Sequence, residues 1–208
     1  MSIMVVSLES GKPIPTQARA RLKRDALIEA AIVDFQTLGY DHTTAKSVAK
    51  RAEVATGTFY QYFHNKDDML RTIAQQRFAF LFDHVEAPSA GEDESVTTRF
   101  QRILTLIYDF HQQDRELHQV LEQRRHLDPQ LESILGEGEA VLEARVLRFV
   151  SSFNLDNPTA VAFNLFAMAE GLVHRHVFSA ATENTPKRQD VIELGAEMLA
   201  SYLNHYRT

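Results

Sequence analysis

The 208-residue sequence predicts an all-α fold. Apolar residues recur at intervals of three and four positions along most of the chain, and this spacing places them on one face of a helix. The sequence shows neither the strict alternation and β-branched runs that are typical of strands nor an internal repeat. Proline and glycine positions divide the periodic stretches, so we expect a succession of separate helices.

The N-terminal residues lack this periodicity, and we expect a flexible arm over residues 1–16. A first helix is predicted from about Thr16. Its apolar stripe consists of Leu27, Ile28, Ala31, Ile32, Phe35 and Leu38. The stripe ends at Gly39, a residue type that commonly terminates helices.

Two short helices are predicted next. Thr44 offers a hydroxyl N-cap to the first of them. The buried face of that helix is predicted to hold Val48, Ala49 and Ala52. A turn at Glu53-Val54 leads to the second, over about residues 55–63. There Phe59 and Phe63 lie one turn apart, and we expect both rings to point into the core.

A fourth helix is predicted over about residues 65–84, with Asn65 as its N-cap. Asp67 and Asp68 fall in its first turn, where negative charge complements the helix dipole. Its apolar face is predicted to hold Met69, Leu70 and Ile73.

After a predicted loop at residues 86–95 the chain stays helical. Helices are predicted over about 96–113, 116–126, 129–151, 158–179 and 187–206. Asp128-Pro129, Asn157-Pro158 and Pro186 separate the later ones. We expect Gly136 and Gly138 to weaken the helix over 129–151 and to kink or split it.

Composition excludes several classes of protein. The absence of cysteine rules out disulfides and thiolate chemistry, and no stretch approaches the ~20 apolar residues of a membrane helix. With no signal-peptide pattern either, we expect a soluble cytoplasmic protein without a membrane partner. No phosphate-binding glycine loop, nucleophile elbow or metal-ligand motif is present, so neither an enzyme nor a cofactor is expected.

The charge is divided unevenly along the chain. The net charge is −6, yet residues 1–77 hold eleven Lys and Arg against eight Asp and Glu. Residues 78–208 hold eleven against twenty. The N-terminal part can therefore lie on phosphates while the remainder keeps the protein soluble.

The two short helices joined by a tight turn predict a helix-turn-helix, whose second helix enters the DNA major groove. If Phe59 and Phe63 face inward, the outer face presents small donors, a long amide and phenols. These residues are Thr56, Gly57, Thr58, Tyr60, Gln61 and Tyr62. Such groups suit contacts with base edges and phosphates.

Over residues 20–75 the sequence resembles the DNA-binding domain of the TetR family of transcriptional regulators. The resemblance rests on Gly39-Tyr40, Thr44, Ala49, Ala52, Val54, the run Thr56 to Tyr60, Tyr62-Phe63, Lys66 and Leu70. It implies phosphate contacts by Thr44, Lys46 and Lys66, in addition to the six positions of the recognition helix. Glu53 departs from the family, in which many members have glycine in the turn.

The resemblance also implies the organisation of the chain: an arm at 1–16, a helix-turn-helix domain at 17–77, and an effector-binding and dimerisation domain at 78–208. A homodimer would then bind a palindromic operator in double-stranded DNA. The last two helices carry apolar residues that suit a four-helix dimer interface. The candidates are Val161, Leu165, Met168, Leu172, Leu194, Met198 and Tyr202. The same residues could instead complete a monomer core.

A small, largely apolar effector is expected in the C-terminal domain. Candidate pocket residues are Phe100, Leu104, Tyr108, His111, His118, Glu122, Phe149, Phe163, Phe166, Glu170 and His174. The pairs His118 with Glu122 and Glu170 with His174 lie one turn apart. Such spacing suits a divalent metal, but hydrogen-bonded or exposed pairs are the more frequent outcome, and no metal site is predicted.

Two alternatives stay open at this level. An architectural or cell-division DNA-binding protein could use the same fold without an effector. The basic residues ahead of the helix-turn-helix also allow two interpretations, a solvated helix face or an arm that reaches phosphate or the minor groove. They are Lys12, Arg19, Arg21, Lys23 and Arg24.

Overall fold

The computed structural model describes residues 12–84 and 94–205. Over these ranges the chain is all-α, as predicted. The helices are α1 (Ala18–His42), α2 (Ala45–Arg51), α3 (Thr56–Tyr62), α4 (Lys66–His84), α5 (Val96–Gln113), α6 (Arg115–Arg125), α7 (Pro129–Val150), α8 (Pro158–Phe178) and α9 (Arg188–His205). Residues 1–11 of the predicted arm and 86–93 of the predicted loop lie outside the described residues.

Local capping explains why the helices begin where the sequence predicts. The Thr44 hydroxyl accepts a hydrogen bond from the Ser47 amide at 3.0 Å, and Asn65 Oδ1 accepts from the Asp68 amide at 2.9 Å. At α8, Asn157 caps the helix and Pro158 occupies a first-turn position, which needs no amide donor. Gly39 interrupts α1 with a φ of 71°, and glycine adopts this left-handed conformation without steric cost.

The split predicted at Gly136 and Gly138 is wrong. Helix α7 continues from Pro129 to Val150. Each glycine costs a helix interior about 1 kcal/mol. Burial of Leu131, Ile134 and Leu135 in the preceding turns offsets that cost, because each buried aliphatic side chain contributes about 1.5–3 kcal/mol.

The chain forms two compact units that are not contiguous in sequence. The first comprises residues 12–79 and 116–137, and the second comprises 80–84, 94–115 and 138–205. Residues 116–137, which the sequence interpretation placed with the C-terminal domain, thus pack with the N-terminal helices. The functional boundary near residue 77 stays a prediction.

In the first unit, Arg71 and Asp128 form a two-pronged ion pair. Arg71 Nε and Nη2 donate to the carboxylate of Asp128 at 2.7 and 2.9 Å. The same carboxylate caps α7 by accepting from the amides of Gln130 and Leu131. Burial by itself would raise the pKa of Asp128, but the bonds from Arg71 and the two amides outweigh it and hold that pKa below its usual value. Asp128 therefore stays ionised at neutral pH.

In the second unit, α5, α8 and α9 share one apolar core. Arg188, at the start of α9, ties that helix to α5 by donating to Asp109 at 2.6 Å and to Gln112 at 2.9 Å. A Cβ on Gly195 would lie 2.6 Å from Leu172 Cδ2. A larger residue at this position would therefore displace the end of the Leu172 side chain between α8 and α9. No helix in the described ranges is long and apolar enough to span a membrane.

Candidate nucleic-acid interface

Helices α2 and α3 form the predicted helix-turn-helix. Thr44 and Ser47 bond reciprocally as a capping box at the start of α2. The turn between the helices closes through a bond from the Val54 amide to the Ala49 carbonyl at 2.9 Å. Within the turn, Glu53 adopts a φ of 54°, the left-handed conformation that the family's glycine adopts freely.

The rings of Phe59 and Phe63 anchor α3 in the core of the first unit, where both are almost fully buried. Because these rings point inward, the opposite face of α3 is presented to solvent. Tyr60 is 51% exposed, Thr56, Gly57 and Gln61 are exposed, and Thr58 and Tyr62 are half-buried. A Cβ on Gly57 would meet no atom within 4 Å. The packing of the described chain therefore does not require glycine at this position.

The three residues implicated in phosphate contact differ in exposure. Thr44 and Lys46 are exposed at the start of α2. Lys66 is half-buried: its ammonium donates to the Tyr40 carbonyl at 2.8 Å and lies 4.0 Å from the centre of the Tyr40 ring. Two N–H groups of this ammonium remain for another partner.

Tyr40 organises the start of α4 through contacts that the sequence did not predict. Arg124 lies 4.0 Å from the centre of the same ring, so the ring contacts two cations. The Tyr40 hydroxyl donates to Asp67. Burial and this hydrogen bond raise the pKa of Tyr40 far above its ordinary value. The phenol consequently stays protonated and acts as a donor at any physiological pH.

One predicted member of the basic arm belongs to the core instead. Arg24 is buried, with its guanidinium 5.3 Å from the centre of the Phe63 ring. Burial lowers the pKa of Arg24, and the nearby Asp25 and Asp68 oppose that shift. Arg24 thus packs against Phe63 at the end of α3, whereas Arg19, Arg21 and Lys23 are exposed.

The candidate pocket residues are not brought together as one set. Phe100, Leu104, Tyr108, His111 and Phe149 are buried in the second unit, where Phe166 and Glu170 are partly buried. Phe163 is 58% exposed and His174 is exposed, and both stay predictions as lining residues. His118 and Glu122 lie on α6 in the other unit, and Glu122 pairs with Arg125 at 3.3 Å. The described ranges contain no cluster of three potential metal ligands.

His176 was not predicted from the sequence, because it lies outside any recognised motif. Its ring lies edge-on to that of Tyr108, with the centres 5.5 Å apart. His176 Nε2 lies 2.9 Å from the Pro186 carbonyl, which can only accept, so in the neutral imidazole Nε2 carries the proton and Nδ1 is an acceptor. The Tyr108 hydroxyl and His176 Nδ1 are both buried and have no hydrogen-bond partner among the described residues.

The predicted interface residues divide into two groups. Met168, Leu194, Met198 and Tyr202 are each about half exposed, and Val161 and Leu172 are half-buried. Leu165 is buried in the core of its own unit, and its part in an interface stays a prediction. Met168, Leu172, Leu194 and Met198 line a groove of about 540 Å³ between α8 and α9.

Comparison with known proteins bears on the N-terminal part of the chain. Residues 27–73 match the family model described as bacterial regulatory proteins, tetR family. The matched residues include α2 and α3, so this part of the chain is similar to the helix-turn-helix region of tetR-family regulatory proteins.

Curated proteins that are similar to this chain are named as transcriptional regulators. It is 28% identical over 141 residues to TcmR of Streptomyces glaucescens, which covers 65% of this chain and 62% of TcmR. It is 42% identical over 65 residues to HbdR of Aromatoleum, covering 31% and 28%. It is 21% identical over 142 residues to the negative regulator IcaR of Staphylococcus epidermidis, a match that covers 68% of this chain and 73% of IcaR. The match therefore spans less than two thirds of TcmR and HbdR.

Solved structures share the whole fold. A TetR-family regulator from Mesorhizobium loti has a TM-score of 0.71 at 17% identity, covering 91% of this chain and 99% of the other. The fatty acid degradation regulator FadR from Bacillus halodurans has a TM-score of 0.65 at 20% identity, covering 87% and 96%. Both of these solved structures are of regulators, and they share the fold of this chain.

The strained turn predicts that Glu53→Gly stabilises the protein. A left-handed conformation costs an L-residue about 1–2 kcal/mol, and glycine avoids this cost. The greater flexibility of glycine in the unfolded state offsets roughly 0.5–1 kcal/mol of the resulting stabilisation. We expect the free energy of unfolding to rise by about 0.5–1 kcal/mol in urea titrations with an unchanged slope. The matched control is Glu29→Gly on the exposed face of α1, which should lose about 1 kcal/mol. A Glu53→Gly protein no more stable than the wild type would contradict the strain.

Proposed function

We propose that this protein is a ligand-responsive transcriptional repressor that binds a palindromic operator as a homodimer in the cytoplasm. The observation that carries the proposal is the exposed face of α3, backed by two buried phenylalanines within a TetR-type helix-turn-helix. The negative regulation named for IcaR supports repression.

The exposed face of α3 supports separate roles for readout and positioning. Gln61 is exposed and carries an amide that can pair with adenine in the major groove. Lys66 is held by the Tyr40 carbonyl at the start of α4, and its remaining N–H groups suit a phosphate. The first contact depends on the base, whereas the second does not.

We therefore expect different outcomes for two substitutions. Gln61→Ala should relax the preference at particular base pairs by about 1–3 kcal/mol, whereas Lys66→Ala should weaken binding to all sequences and lower the salt slope by about one. Selection from a randomised library, followed by gel-shift titration at several salt concentrations, measures both. A changed sequence preference in Lys66→Ala would contradict the assignment. Wild-type binding without sequence preference or salt dependence would contradict the proposed function.

The groove between α8 and α9 supports the homodimer. Apolar side chains that are half exposed in one chain are expected to be covered by a second copy, and a two-fold axis would place the same residues against one another. Phe163 is also exposed on α8 and adds to the apolar surface of that helix.

Charge introduced into this groove should separate the subunits. In Met198→Glu, two carboxylates would be desolvated in an apolar interface, and we expect the dimer to weaken by about 2 kcal/mol or more, roughly 30-fold. Sedimentation velocity at micromolar concentration measures the change. Leu127→Glu is the control, since Leu127 is an exposed apolar residue of the first unit. A Met198→Glu protein that stays dimeric would place the interface elsewhere.

The core of the second unit supports an effector that is largely apolar and carries one polar group. Phe100, Leu104 and Phe149 belong to the same buried apolar cluster as Tyr108. The Tyr108 hydroxyl supplies a donor, and His176 Nδ1 supplies an acceptor. A hydroxyl or carboxyl group of a small molecule would satisfy both atoms, and unsatisfied buried polar atoms each cost about 1–3 kcal/mol.

Tyr108→Phe tests this assignment. Removing an unpartnered buried hydroxyl should raise the free energy of unfolding of the ligand-free protein by about 1 kcal/mol. It should also reduce the release of operator by aromatic alcohols and carboxylic acids that release the wild type. Thermal unfolding and gel shifts with such a panel provide the two measurements. A less stable Tyr108→Phe protein with an unchanged response would exclude the hydroxyl from effector binding.

A further inference from the structure

Lys12 connects the N-terminal segment to the recognition helix. Its ammonium donates to the carbonyl of Tyr60, in the last turn of α3. Carbonyl groups in the last turn of a helix lack an intrahelical partner, and a cation there also complements the helix dipole. The neighbouring Phe59 carbonyl is already used by the Phe63 amide at 3.0 Å. Lys12, which lies outside the seven-residue helix α3, thus caps a carbonyl group at the C-terminal end of that helix.

A second contact fixes the same segment to α1. Arg21 Nε donates to the Pro15 carbonyl at 2.8 Å. Residues 12–15 are therefore held at one end by α3 and at the other by α1. Pro13 and Pro15 have restricted φ angles, which limits the freedom of the chain between the two contacts. We refer to residues 12–17 as the N-terminal strap.

The strap carries positive charge to the edge of the DNA-binding surface. Lys12 lies against Tyr60, which is exposed on the face of α3 proposed to enter the major groove. Arg19 and Lys23 follow at the exposed start of α1, and no acidic residue occurs between Lys12 and Asp25. Since Lys12 is only half-buried and its carbonyl partner uses one N–H, two donors remain.

We propose that Lys12 bridges the Tyr60 carbonyl and a backbone phosphate at the edge of the major groove that α3 occupies. The ligand is a phosphodiester of double-stranded DNA. The contact is additional to those of the helix-turn-helix, and it rests on the proposed function. Because the same ammonium holds α3 and the phosphate, the strap ties the register of the recognition helix to the DNA backbone.

The salt dependence of binding distinguishes a phosphate contact from a cap. The probe is a DNA fragment selected by the wild-type protein from a randomised library. We expect Lys12→Ala to reduce the slope of log affinity against log salt by about one per protomer, with an unchanged sequence preference. Lys12→Arg keeps a cation and should keep the slope. The matched control is Lys187→Ala, an exposed lysine directly before α9 in the second unit, which should change neither affinity nor slope.

Three outcomes would overturn the proposal. Weaker binding with an unchanged slope would show that Lys12 only caps α3. Unchanged binding would show that the strap takes no part in DNA binding. An equal loss of slope in Lys187→Ala would show a general charge effect. Urea unfolding of Lys12→Ala establishes that the variant is folded. Salt-independent binding by the wild type would instead contradict the proposed function itself.

Discussion

The burial of Phe59 and Phe63 is the constraint on which the DNA-binding surface depends. Helix α3 has seven residues, and isolated helices of that length are unstable in water. Tertiary packing must therefore supply its stability, and the two rings provide it from positions one turn apart. Because the rings of Phe59 and Phe63 are fixed in the core, Tyr60 and Gln61 face solvent. Arg24 reinforces the arrangement by lying against the Phe63 ring.

Polar and cation–π contacts then fix the start of α4 against α1. Tyr40 receives Lys66 on its ring and carbonyl, contacts Arg124 through its ring, and donates its hydroxyl to Asp67. The Arg71–Asp128 pair adds a second link between α4 and α7. These links come from partly buried groups, so they are screened by salt less than exposed pairs would be.

Sequence periodicity and capping predicted the helices, because both signals are local. Thr44, Asn65 and Asn157 are residue types that cap helices through contacts within the first turn. Tertiary choices had no such signal. The sequence of a helix that is apolar on several sides, such as α8, does not indicate which side faces the core. Only the structure shows that Leu165 is buried and that Phe163 is exposed. The pairing of Tyr108 with His176 and of Tyr40 with Arg124 joins residues distant in sequence.

The return of residues 116–137 to the first unit means that the DNA-binding part is encoded in two stretches of the chain. Leu117, Val120, Leu121 and Leu131 complete the same core as Phe59 and Phe63. A chimera that exchanges only the segment before residue 80 would join one regulator's helix-turn-helix to another regulator's α6. Such a hybrid would replace the partners of Tyr40 and Arg71 together with part of the core. Modular exchange of specificity in this protein therefore requires both stretches to be transferred as one unit.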